Sequence, residues 1–210
     1  MRNRGNRPGD RFVWNQGWAG PKVLTYRHSR QLNELAHQIV ASAGSDAPKA
    51  QLPACVSNEG ADPVLAKDIT GQAIAEWLAS RIVEIERFTL KFPSIAVLVN
   101  REDEVQPLTG ALNESLSGQN IRAVACREGQ VVGQDNDVRV FDVQHIKGLE
   151  FEAVFFVGVD ELAARQPDLF DKYLYVGATR AATYLGITCA GAKLPSRLAS
   201  LTTRFASSWR

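Results

Sequence analysis

The run Ala153-Val-Phe-Phe-Val157 contains no polar residue at any position. A strand with one solvated face alternates polar and apolar side chains, whereas a strand covered on both faces reads as one continuous apolar stretch. Burying both faces requires helices above and below the sheet, and helical crossovers of that kind join parallel strands. Ser94-Ile-Ala-Val-Leu-Val99 repeats the pattern. Further strands are expected at Lys22–Tyr26, Ile121–Cys126, Val138–Val143 and Leu185–Cys189, with the opening strand extending over Ala153–Val159.

The intervening segments carry helical periodicity. Leu32, Leu35, Ala36, Ile39 and Val40 fall on one stripe, with Gly44 as its stop. Ile74, Trp77, Leu78, Ile82 and Ile85 form a second apolar face, expected to start from an Asp68 cap and to end before Pro93. A third helix is expected from about Glu102 to Leu116, capped by Asn100, with Val105, Leu108 and Leu112 inward. Ser45–Lys67, rich in Pro, Gly, Ser and Asn, reads as a surface connection with a short strand near Ala54–Val56. The whole is an α/β three-layer sandwich around a mostly parallel sheet over residues 21–192. A flexible lead-in precedes it at 1–20, and a tail or helix follows at 193–210.

Composition narrows the function classes without selecting one. A formal net charge of +1 gives no general electrostatic argument for nucleic acid or membranes. Cys55, Cys126 and Cys189 are odd in number, far apart, and lack Cys/His ligand spacing. Neither a disulfide framework nor a metal site is expected from them, and they read as apolar fillers in a reducing compartment. The amino-terminal arginines have no apolar run behind them, and the strongest apolar run is too short to span a bilayer. A cytoplasmic location is expected.

Three stretches carry candidate chemistry: Val23-Leu-Thr-Tyr-Arg-His-Ser29, Lys147-Gly-Leu-Glu150, and Tyr173-Leu-Tyr-Val-Gly-Ala-Thr-Arg-Ala-Ala182. In this order and spacing they resemble motifs in the second, C-terminal RecA-like lobe of superfamily 1 DNA helicases of the UvrD/Rep type. The segments Val56–Pro63 and Ile95–Glu102 resemble connecting stretches of the same lobe. The resemblance implies ATP as cofactor, with Mg²⁺ held by a first lobe. Arg27 and Arg180 would reach the γ-phosphate, Arg180 as an arginine finger, the kind of group that accelerates phosphoryl transfer by about a thousandfold or more. Lys147 and Gly148 would lie near the phosphates and Glu150 at the ribose. The chemistry suits those residue types: guanidinium forks onto phosphate oxygens, while an ionised Glu can only accept, which fits a sugar hydroxyl. Leu174, Val176, Ala178 and Ala181 are expected to pack the motif's helix, and Thr179 to serve local structure.

The departures from the family are equally informative. No Gly-x-x-x-x-Gly-Lys-[Ser/Thr] phosphate loop occurs in the 210 residues. Only about a dozen residues join the strand ending near Cys126 to the one starting at Val138, too few for the family's large DNA-contacting insertion. The family's Thr-x-His becomes Asp142-Val-Gln144, placing a carboxylate where DNA phosphate should approach, which weakens the DNA side. Gln144 and His145 remain candidates for nucleic-acid contact, while turn histidines such as His28 and His145 more simply face solvent. The leading expectation is one lobe of an ATP-driven helicase or translocase, inactive alone, whose partners are a first lobe or companion subunit and single-stranded DNA. The alternatives are a non-catalytic module that binds a protein or single-stranded nucleic acid, and a truncated helicase fragment.

Overall fold

Every residue of Ile95–Val99 is buried, and so is every residue of Val138–Asp142. These strands are neighbours inside a six-stranded sheet in a computed structural model that describes residues 28–42, 59–146 and 148–209. The strands are β1 (Val64–Ala66), β2 (Ile95–Val99), β3 (Ala123–Ala125), β4 (Val138–Asp142), β5 (Phe151–Phe156) and β6 (Ala181–Thr188). Their spatial order is β1-β6-β5-β2-β4-β3, and every pairing is parallel. The α-helices are α1 (Arg30–Ser42), α2 (Gln72–Phe88), α3 (Glu102–Ser115), α4 (Val159–Arg165), α5 (Pro167–Ala178) and α6 (Ser196–Ser200).

Strand periodicity divides the core into two layers. Ala96, Leu98, Phe141, Val154, Phe156, Leu185 and Ile187 point to one face, where they meet α1, α4, α5 and α6. Ile95, Val97, Val138, Val140, Ala153 and Phe155 point to the other, covered by α2, α3 and Trp209. Phe141, Phe155 and Phe156 are among the largest fully buried side chains, each contributing about 1.5–3 kcal/mol relative to exposure. The three-layer α/β sandwich expected from sequence is thus observed, with a sheet that is wholly parallel.

Several local expectations fail for identifiable reasons. Asp68 does not cap α2; it takes a left-handed φ of 61°, and the helix begins after Gly71 without a side-chain cap. Asn100 does not cap α3 either, since Arg101 holds that position. The Asn100 amide instead donates to the carbonyls of Val157 (3.1 Å) and Gly158 (2.8 Å), tying the carboxyl end of β2 to that of β5. Helix α2 stops at Phe88, short of Pro93, and Ile74, Trp77, Leu108 and Val40 are only partly buried at the rims of their stripes. Ala181 is not on the motif's helix: α5 ends at Ala178, and Ala181 opens β6, buried in the core layer that α5 also lines. The strand expected over Ala153–Val159 runs instead from Phe151 to Phe156, with Val159 starting α4. The expected strands at 22–26 and 54–56, and the Gly44 stop, lie outside the described residues.

Residues 64–66, expected as surface connection, form edge strand β1 beside β6. The chain after α6 covers the outer side of that edge. Leu65 N donates to the Ala206 carbonyl (3.1 Å), Ala206 N to the Pro63 carbonyl (2.8 Å), and Trp209 Nε1 to the Asp62 carbonyl (2.8 Å). This coverage removes an exposed row of backbone donors and acceptors. The β3–β4 connection is short and braced: Arg122 forks onto Asp137 through Nε (3.1 Å) and Nη2 (2.6 Å), and Arg139 bonds the carbonyls of Val132 and Gln134.

Candidate functional site

Two of the candidate stretches meet at the amino-terminal ends of β5 and β6. Ahead of β5, Leu149 N donates to the Ile146 carbonyl (3.2 Å), closing a turn in which Gly148 has a φ of +82°. A φ of that sign is one that glycine adopts without strain. Ahead of β6, Arg180 N donates to the Gly177 carbonyl (3.2 Å) as α5 unwinds. Phe151 N donates to the Arg180 carbonyl (2.9 Å), and Arg180 Nη1 donates to the Leu149 carbonyl (3.2 Å). Main chain and side chain of Arg180 therefore both hold the Leu149–Phe151 segment.

The Arg180 guanidinium is not saturated by these contacts. Among the described residues its Nε, shut from solvent, finds no hydrogen-bond partner, a costly state for a charged donor that a ligand oxygen would relieve. Arg180 also lies near Tyr175, whose phenol is pushed up by burial and drawn partly back by that positive charge. Thr179 serves local structure as expected, its Oγ1 donating to the carbonyls of Tyr175 (2.9 Å) and Val176 (3.2 Å). Glu150 and Gly148 are exposed beside the turn.

Arg27 and Lys147 lie outside the described residues. The residue covalently attached to Arg27 is nevertheless informative. His28, expected as a solvent-facing turn residue, is half-buried, with Nε2 3.1 Å from the Thr179 carbonyl oxygen. Ser29 N donates to the Ala182 carbonyl (2.9 Å). These two contacts set His28 and Ser29 against residues on either side of Arg180. Sequence reasoning did not assign His28 this role, because its partner is a backbone carbonyl distant in the chain.

Gln144 and His145 lie at the opposite rim, beyond the carboxyl end of β4, and both are exposed. Asp142, the last residue of β4, is buried and caps the 3-10 turn Val143–His145, its Oδ1 accepting Gln144 N–H at 2.8 Å. The Asp in place of the family's Thr therefore has a structural task. A separate polar groove of about 650 Å³ between α2 and α3, lined in part by Arg81, Glu84 and Gln119, touches none of the candidate residues. Among the described residues no helix is long and apolar enough to cross a membrane.

Comparison with known proteins agrees with the motif reading where it is most specific. Residues 137–188 match the model of the UvrD-like helicase C-terminal domain. Among solved structures, the chain is similar to the C-terminal domain of a possible DNA helicase from Lactobacillus plantarum WCFS1. The TM-score is 0.60 and the identity 19%, over 83% of this chain and 92% of that one. A more remote likeness is to the large terminase of a thermophilic bacteriophage, with TM-score 0.43 and 11% identity over 77% of this chain and 39% of that one. No curated protein matches. The fold is thus that of a helicase C-terminal, RecA-like domain, and residues 137–188 carry the UvrD-like helicase C-terminal signature.

Proposed function

We propose that this chain is the second ATPase lobe of a superfamily 1 DNA helicase or translocase. ATP with Mg²⁺ binds between it and a first lobe that supplies the phosphate loop and the metal ligands. Arg180 is the arginine finger, Arg27 a second cation on the γ-phosphate, Lys147 and Gly148 border the phosphates, and Glu150 accepts from the ribose. The observation that carries this reading is the junction of the Gly148 turn with Arg180 through the Leu149 carbonyl and the Phe151 N–H. It gathers candidate groups from two separate stretches into one patch, with a buried guanidinium nitrogen that has no partner among the described residues.

A bound γ-phosphate would draw the guanidinium from Leu149 towards charge that grows in the transition state, where preorganised cations act most strongly. The partners are the first lobe or a companion subunit, with single-stranded DNA as the track. The isolated chain hydrolyses no ATP. Mixing it with a separately produced first lobe should restore Mg²⁺-dependent hydrolysis that Arg180→Ala lowers by about a thousandfold. Hydrolysis by the chain alone, or a reconstituted rate indifferent to Arg180→Ala, would overturn the assignment.

The second reading is a non-catalytic module that holds a protein partner, favoured by the buried Asp142 carboxylate at the rim where a DNA track would approach, a group unsuited to phosphate. Failure of a first lobe to restore ATP hydrolysis, together with no salt-dependent binding of single-stranded DNA, would support it.

A further inference from the structure

The pairing of β2 with β4 sets Val99 opposite Asp142, which brings the first residue of α3, Glu102, beside the end of β4. The 3-10 turn then returns His145 to the same place. One ligand atom from each of Glu102, Asp142 and His145 lies within 4.8 Å of the other two. This cluster is separate from the Arg180 patch, which occupies the opposite rim of the sheet.

Two features distinguish it from an ordinary solvated acidic group. Glu102 Oε2 is shut from solvent and accepts no hydrogen bond among the described residues, although Oε1 accepts Glu128 N–H (3.2 Å) and pairs with Arg127 Nε at 3.5 Å. Asp142 is 4% exposed, and among the described residues its carboxylate forms no ion pair, only the bond from Gln144 N–H. Arg127 offsets part of this charge at Glu102 Oε1, but among the described residues no Arg or Lys pairs with Glu102 Oε2 or Asp142, which leaves room for a further cation between them. The one spacing that links the acid of α3 to the imidazole suits metal ligands better than a hydrogen bond. Glu102 Oε2 and His145 Nδ1 are 3.5 Å apart, beyond the normal N–H···O range. Neighbouring ligands on a tetrahedral ion with bonds of about 2.0–2.1 Å are separated by roughly 3.4 Å.

We propose that Glu102 Oε2, the Asp142 carboxylate and His145 Nδ1 form a three-ligand site for a divalent transition-metal ion, zinc by ligand type, with water completing the coordination. One imidazole and two carboxylates suit a borderline ion, and three protein ligands leave one position open. The side chain of His145 is 39% exposed and has room to close onto the ion. The site stands independently of the nucleotide reading.

The test is calorimetric titration of the full chain with Zn²⁺, alongside NMR of the three histidine rings. One equivalent of Zn²⁺ should bind and shift the His145 ring resonances but not those of His28 or His37. Glu102→Gln and His145→Ala should each weaken binding by about tenfold or more. Glutamine retains the acceptor for Glu128 N–H, and His145 is a surface residue, so circular dichroism should show both variants folded. Should Glu102→Gln lose its fold, His145→Ala alone decides. Absence of binding, equal affinity in His145→Ala, or shifts at His28 or His37 instead would overturn the proposal.

Discussion

Gly177 sits one residue before the end of α5, and its α-carbon faces the sheet. A Cβ there would lie 2.8 Å from Phe156 Cδ1, 3.1 Å from Phe156 Cε1 and 3.5 Å from Leu98 Cδ1. Carbon pairs settle at about 3.5–4.0 Å, so Gly177→Ala demands a displacement of roughly 0.7 Å or more. Phe156 is 1% exposed within the core and cannot turn aside, which leaves α5 to lift from the sheet. Overpacking of this kind costs about 1–3 kcal/mol, while the gain in helix propensity is at most about 1 kcal/mol. Steric cost therefore wins, and the variant should be destabilised.

Gly110 supplies the control. It is exposed inside α3, and a Cβ there would meet nothing within 4 Å. Gly110→Ala should stabilise by about 0.5–1 kcal/mol. Urea unfolding followed by circular dichroism should move the two midpoints in opposite directions, by about 0.4 M for each kcal/mol at the slope of a domain this size. A Gly177→Ala midpoint at or above that of the parent, with Gly110→Ala behaving as stated, would refute the close packing of α5 on β5. Because Arg180 N–H bonds the Gly177 carbonyl, lifting α5 should also lower reconstituted ATP hydrolysis.

Trp209→Ala should destabilise by about 3–5 kcal/mol in the same assay, since the indole is buried against Phe155 and Tyr184 and its Nε1 bonds the Asp62 carbonyl. Asp137 is 6% exposed, and the Arg122 guanidinium beside it holds its carboxyl below the usual carboxylate range. Its folded pKa is depressed, so its contribution is complete above the unfolded value of about 3.9 and is lost as pH falls through the folded one. Asp137→Asn should flatten the acid limb of a stability–pH curve below about pH 4. Burial, helped by the charge of Asp160, pushes the Cys189 thiol up to about 12. At pH 8 a maleimide should therefore label Cys189 only after denaturation, read by peptide mass mapping.

Sequence period revealed the layers because burial on both faces leaves an unmistakable apolar run at β2, and much of α1 and α2 announces itself by its stripe. What sequence did not reveal was where polar side chains spend their hydrogen bonds. Asn100 looks like a helix cap by position, yet Gly158 and Val157 offer it two carbonyls across the sheet. His28 looks solvated by its neighbours, yet a distant carbonyl receives it. β1 hides because an edge strand of three residues beside Pro63 carries no periodicity to read, and its partners come from β6 and from beyond α6. Glu102 gave no metal signal because its companions lie some forty positions away and meet it only through the β2–β4 register.

The stretch from Asp142 to Phe151 relates the two halves of the functional reading. β4 and β5 both run parallel to β2, which lies between them, so this stretch must return from the carboxyl rim to the amino rim. Strand rise and spacing put its ends about 22 Å apart. Its nine links would reach about 30 Å only if fully extended. A 3-10 turn at Val143–His145 and the turn closed by Leu149 use up much of that length, leaving little slack. Gln144 and His145 are thus fixed at one rim while Gly148, Glu150 and Arg180 are fixed at the other. No single small ligand can touch both sets. The nucleotide role of Arg180 and the nucleic-acid or metal role of the Asp142 rim are therefore separate claims: loss of one through Arg180→Ala should leave the other, read through His145, unchanged.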